Sequence, residues 1–139
     1  MNQNYYKTVF ILHENPAKWP SNFAIITAEN PMDQSMTETE NKERTGRLLK
    51  HIGKLKHGCL TGSSRNLLHQ EKSFSVKVDF DEAINIGNKF EQRAIYYIRN
   101  GTLLLVDCSN REFFELGNFE ERIWNPKDQF NTNEKKSSQ

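Results

Sequence analysis

The chain is predicted to be a single α+β domain with a mostly antiparallel sheet and two helices, in the order β-β-α-β-α-β-β. Three observations predict this. Apolar β-prone runs alternate with two capped helical stripes; an Asn-Gly pair joins two apolar runs near the C-terminal end; and 139 residues suffice for one core without metal or disulfide support. Hydrophobic residues are only 35% of the chain, so the core must be compact. Nine Phe, four Tyr and two Trp compensate, because each buried aromatic removes a large apolar area from water.

Tyr5 to Leu12 is aromatic and β-branched and predicts a first strand, which His13-Glu-Asn-Pro-Ala-Lys-Trp-Pro20 breaks with two prolines. Phe23 to Ala28 predicts a second strand. Five of its six residues are apolar or small, so it should be central and covered on both faces. It ends in Thr27, Glu29 and Asn30-Pro31, and Asn-Pro cannot continue a strand.

Thr37-Glu-Thr-Glu40 fits a capping box, and Leu48, Leu49, Ile52 and Leu55 form a stripe at helical spacing. These predict a helix from about Thr39 to His57, with Gly58 as its stop. Gly58-Cys-Leu-Thr-Gly-Ser-Ser64 then reads as a loop or irregular edge. Ser73 to Val78 alternates, with Phe74, Val76 and Val78 inward. Asp79 caps a second helix with Glu82 at the reciprocal position, and Phe80, Ala83, Ile84, Gly87, Phe90 and Ala94 make its buried face. Ala94 to Arg99 and Thr102 to Cys108 flank Asn100-Gly101 as a hairpin. Beyond Cys108, Phe113, Phe114, Leu116, Phe119, Ile123 and Trp124 predict a segment packed back on the body. The domain is expected over 1–127, with 128–139 a polar, disordered tail.

Nineteen basic and 18 acidic residues nearly balance, which argues against whole-surface attraction to nucleic acid or membrane. The charge is nonetheless uneven. Lys42 to Lys72 holds eight Lys/Arg against two Glu, while Glu112 to Glu121 holds four Glu and no Lys or Arg. The first seven residues lack the pattern of a secretory signal and no apolar run has membrane-spanning length, so a cytoplasmic protein without membrane contact is expected. Cys59 and Cys108 make no disulfide framework, and Cys108 should be buried at the end of a strand. His51-x5-His57-x-Cys59 lacks the paired ligand spacing of a zinc site, so neither metal nor cofactor is expected.

The run Ile26-Thr27-Ala28-Glu29-Asn30-Pro31 resembles the signature, loosely Ile-Thr-Ala-x-Asn-Pro, of a bacterial family of small domains of unknown function. The resemblance extends from about Phe23 to Val106. It includes Asn41, the Gly62-Ser63 loop, Glu71-Lys72-Ser73-Phe74, and Phe90-Glu-Gln92-Arg-Ala94-Ile95. Many relatives carry an aromatic residue inside the first motif where this chain has Glu29. The resemblance implies a small bacterial α+β domain with no assigned activity.

Thr27, Asn30, Glu71, Ser73 and Gln92 are the polar residues of these matched motifs, each at a predicted element end. Together they would line a cleft for a nucleotide base or an amide, since Asn and Gln present both donor and acceptor. The bland alternative is that each satisfies nearby backbone. His69-Gln-Glu71 places an imidazole and a carboxyl on one side of a strand, the pattern of a base and its orienter. On the first helix, Arg47, Lys50 and Lys54 share a side at i, i+3 and i+7, the row that phosphate contact requires. An ordinary solvated face would look the same.

The leading expectation is a cytoplasmic binding or regulatory domain without catalysis of its own. Its partner would be a protein or a nucleic acid, met through the basic helix 39–57 or the cleft near Asn30. The alternative is a small enzyme acting on a nucleotide or nucleic acid, with Glu71 and His69 as acid/base residues and Asn30 and Gln92 orienting the substrate. A homodimer through the exposed edge of the Asn100-Gly101 hairpin is compatible with either.

Overall fold

Phe23 to Ile26 and Ala28 are fully buried, and the strand they build, β2 (Asn22–Thr27), lies in the middle of the sheet. The computed structural model describes residues 2–14 and 18–124; the tail expected over 128–139 lies outside them. The described residues form one α+β domain, an eight-stranded mixed sheet with two helices. The remaining strands are β1 (Val9–Leu12), β3 (His57–Ser63), β4 (Gln70–Val76), β5 (Ala94–Arg99), β6 (Thr102–Asp107), β7 (Phe113–Asn118) and β8 (Ile123–Trp124). Their spatial order is β7-β6-β5-β2-β4-β3-β1-β8. All neighbours are antiparallel except β1 and β8, which are parallel.

Helices α1 (Glu38–Ile52) and α2 (Phe80–Lys89) cover one face. Leu48, Ile52, Ala83 and Ile84 pack there on Ala24, Ile26, Phe74, Val76, Ile95 and Val106. At both helix starts the cap residue's side-chain oxygen is bonded as expected. Thr37 Oγ1 accepts from Glu40 N at 3.1 Å, and Asp79 Oδ1 accepts from Glu82 N at 2.8 Å. Gly87 lets α2 lie close to the sheet, because a Cβ there would sit 2.8 Å from Cys108 Sγ and 2.9 Å from Ile95 Cγ2. The opposite face holds a second cluster of Phe10, Phe23, Ile25, Leu60, Ile98, Leu103 and Phe119. Trp19 closes it, stacked on Phe23 at 5.0 Å between ring centroids and edge-on to Phe119 at 5.2 Å. Aromatic side chains substitute here for a second helical layer.

Several elements differ from expectation, each for a physical reason. Gln3–Lys7 is a 3-10 turn, and the first strand is confined to β1. Asn2 caps that turn, and Tyr96 Oη donates to Tyr5 O at 2.8 Å, so the turn's backbone is satisfied outside a ladder. Helix α1 stops at Ile52, well short of His57. Leu55 N turns back to Ile52 O at 2.8 Å, and Lys56 O accepts from Lys77 N at 2.9 Å, drawing the chain toward the sheet.

The expected loop over Gly58 to Ser64 is instead strand β3 through Ser63, flanked by β4 and β1. Partners on both edges override the low strand propensity of its two glycines. Asn100 (φ 49°) and Gly101 (φ 84°) make the expected tight hairpin, since both central residues have the positive φ such a turn needs. Its β6 edge, expected to be exposed, is paired with β7. The segment after Cys108 does pack back on the body, as β7, a 3-10 turn (Phe119–Arg122) and β8. No described helix is long and apolar enough to cross a membrane.

Candidate functional site

Where β2 ends, the chain must leave the sheet within a few residues, and it does so through three residues of positive φ: Asn30 (48°), Met32 (50°) and Asp33 (64°). Non-glycine residues hold such angles when surrounding contacts determine them. Thr27 Oγ1 donates to Lys72 O at 2.8 Å and accepts from Glu29 N at 3.1 Å. Glu29 Oε2 accepts from Lys72 N at 2.8 Å. Asn30 is the centre. Its N donates to Asn41 Oδ1 at 3.0 Å, its Nδ2 to Glu71 Oε2 at 2.9 Å, and its Oδ1 accepts from Met36 N and Asn41 Nδ2, both at 3.0 Å. Asp33 bonds Arg93 Nε at 2.7 Å and the Tyr5 hydroxyl.

Of the residues expected to form a cleft, Asn30 and Glu71 therefore touch. Thr27 and the buried Gln92 satisfy backbone, Gln92 Nε2 donating to Glu29 O and Phe90 O at 3.2 Å each. Ser73 is buried and donates to Glu71 O at 3.1 Å. His69 is exposed, and its backbone N donates to Ser64 Oγ at 3.1 Å in the turn between β3 and β4. Glu71 is part-buried with a single donor, Asn30, among the described residues. Burial pushes its carboxyl up to about 7, the Asn30 bond opposes this, and the charges of Glu29 and Asp33 add to it. Burial also raises the Glu29 carboxyl, against the lowering bond from Lys72.

A second arrangement lies on the helical face. Arg44, Arg47, Lys50 and His51 of α1 meet Lys89 and Phe90 at the end of α2 around a cleft of about 330 Å³, with Glu91 its single acid. Helix geometry sets the α1 side, because Arg47, Lys50 and His51 are three and four residues apart and share a face. Lys54 falls in the turn beyond the end of α1 and does not line the cleft.

Arg44 has a different task from its neighbours. Its Nε donates to Ala28 O at 2.6 Å and one terminal nitrogen to Phe90 O at 2.5 Å, while the other lies 3.4 Å from Glu91. It thus ties the exit from β2 to the end of α2, and its side chain is only 12% exposed. Sequence reasoning placed Arg44 only among the cations of the basic helix 39–57, and it missed Lys89, Asp33 and Tyr5 as members of these arrangements. Only Lys89 carried a signal, a cation in the last turn of a helix.

Together the sheet, the strained exit from β2 and the cationic cleft define a small α+β domain whose polar groups concentrate around one inter-element junction. Residues 26–95, half of the chain, match the family described as protein of unknown function (DUF3293), and the chain belongs to that family. The matched span begins on β2 and ends on β5, next to each other in the sheet, and encloses both helices and the whole junction apart from Tyr5. No curated protein and no solved structure matches the chain.

Proposed function

We propose that the chain is a small bacterial, cytoplasmic binding module for nucleic acid, without catalysis of its own, and that the strand lies in the cleft between α1 and the end of α2. The observation that carries this reading is the convergence of Arg47, Lys50 and Lys89 from two helices on one cleft. Among the described residues none of the three is in an ion pair, so their charge is available to phosphates. Exposed cations facing one another across a cleft repel unless an anion sits between them.

Fluorescence anisotropy with a labelled oligonucleotide, repeated over a range of salt, tests it. Three phosphate contacts should make log affinity fall with log salt at a slope of about −2 for a single strand and about −3 for a duplex. Reversing Arg47, Lys50 and Lys89 to Glu should remove binding, whereas Lys54→Glu should change it little. Salt-independent binding, or a triple variant that binds as the parent does, would reject the reading.

A second reading, a small enzyme acting on a nucleotide or nucleic acid, draws support from the Asn30–Glu71 contact and a carboxyl raised to about 7, the range a general base needs. It predicts turnover of nucleotide or oligonucleotide that Glu71→Gln abolishes without loss of oligonucleotide affinity. Turnover that survives the substitution would eliminate Glu71 as the acid/base residue.

A further inference from the structure

A cleft of about 410 Å³ opens on the sheet face away from the helices, at the opposite end of β4 from Glu71. Its apolar wall is the partly exposed Leu12 and Trp19, backed by the buried Phe23 and Leu60, and its floor is Gly58 with Ser75. That size and an apolar lining with a few polar groups are typical of small-ligand sites. Gly58 keeps the floor open, because a Cβ there would sit 3.2 Å from Ser75 Oγ. Ser75 Oγ accepts from Gly58 N at 3.2 Å, and among the described residues its hydroxyl hydrogen has no acceptor, so it is available to a ligand.

The rim is cationic. Lys18, Lys56 and Lys77 line it against one acid, Glu14. Lys77 N bonds Lys56 O at 2.9 Å, next to the His57–Val76 pair of the ladder. Strand alternation puts both lysines on the face that carries Gly58, Leu60 and Ser75. Two like charges side by side across paired strands are destabilising unless a counter-charge lies between them.

We propose that this cleft binds a small amphipathic carboxylate, its apolar body against Leu12 and Trp19 and its carboxylate between Lys56 and Lys77, with the Ser75 hydroxyl as a further donor. The site is separate from the cationic cleft on the helical face and does not depend on it.

The test uses the emission of Trp19 in a Trp124→Phe background, which leaves Trp19 as the sole tryptophan. Decanoate is titrated against decan-1-ol, which has the same chain without the charge. The expected result is a saturable change in Trp19 emission with decanoate, at affinity at least about tenfold above that for the alcohol. Lys56→Glu with Lys77→Glu should remove that preference while leaving the alcohol unaffected. Both lysines are exposed, and Lys56→Gln with Lys77→Gln serves the same purpose should the charge reversal fail to fold. No saturable response to decanoate, equal affinity for acid and alcohol, or an undiminished preference in a folded double variant would each overturn the proposal.

Discussion

Replacing Glu71 by Gln is expected to stabilise the protein by about 2 kcal/mol at pH 8 and by only about 0.5 kcal/mol at pH 5. The folded-state value of about 7 lies above the ordinary 4.5, chiefly because burial disfavours the charged form. Between those values the folded chain holds a proton that the unfolded chain has released. This contribution to stability is therefore fully present below about 4.5 and is lost as the pH rises to about 7 and just beyond. A shift of this size corresponds to roughly 3 kcal/mol, of which solvent access to the part-buried side chain returns a share. Gln keeps an acceptor for Asn30 Nδ2 and carries no charge to desolvate. Urea unfolding of both proteins at pH 5 and pH 8 reads the effect directly. The variant should show a much flatter pH dependence, with a remainder from Glu29, whose carboxyl is raised for the same reason. A variant no more stable than the parent at pH 8 would mean that the carboxylate is better solvated than its surroundings indicate.

Removing the Arg44 side chain should have an effect of similar size and opposite sign. Arg44→Ala deletes two charge-assisted hydrogen bonds, to Ala28 O and Phe90 O, and leaves Ala28 O without this donor while Phe90 O keeps the one from Gln92 Nε2. Bonds to charged groups contribute about 1.5–3 kcal/mol each, and partial access of water to the emptied site offsets some of that. A loss of about 3 kcal/mol is expected, measured as a lower urea midpoint at unchanged slope. Arg44→Lys should recover little, because a single ammonium cannot reproduce the planar fork that reaches both carbonyls. A loss below about 1 kcal/mol, within the range of surface ion pairs, would show that Arg44 acts as a free surface cation like its neighbours.

Signals that act within a few residues were legible in the chain. Thr37 and Asp79 announced the helix starts, Asn100-Gly101 announced the hairpin, and the unbroken apolar run Phe23 to Ile26 announced a central strand. Strand β3 was not legible, because Gly58, Cys59, Thr61, Gly62 and Ser63 have little preference of their own and take extended form from β1 and β4 on either side. Strand β7 was hidden for a related reason. It is a sheet edge with Phe113 and Phe114 both exposed, so no inward-outward alternation marks it. At the junction, the contact between Asn30 and Glu71 could be anticipated because both stand at predicted element ends. The task of Arg44 could not be, since nothing in its neighbourhood separates it from the other cations of α1. Lys89 joins the cleft only because the end of α2 meets α1 through Phe90 on the same face of the sheet, which no local pattern encodes.

The junction at the end of β2 also bears on the order in which the molecule assembles. Its bonds join Asn30 to Glu71, Glu29 to Gln92, and Tyr5 to Asp33, positions far apart along the chain. Closing such loops is entropically expensive until the strands and helices that carry the partners have met. Helix starts and the hairpin need no such meeting and can form early. The knot of side chains around Asn30 is then expected to close late, after the folding barrier has been crossed. Interactions made after the barrier set how slowly a protein comes apart rather than how quickly it forms. The side chains gathered around Asn30 would thus act as a kinetic lock, prolonging the lifetime of the folded chain without hastening its arrival.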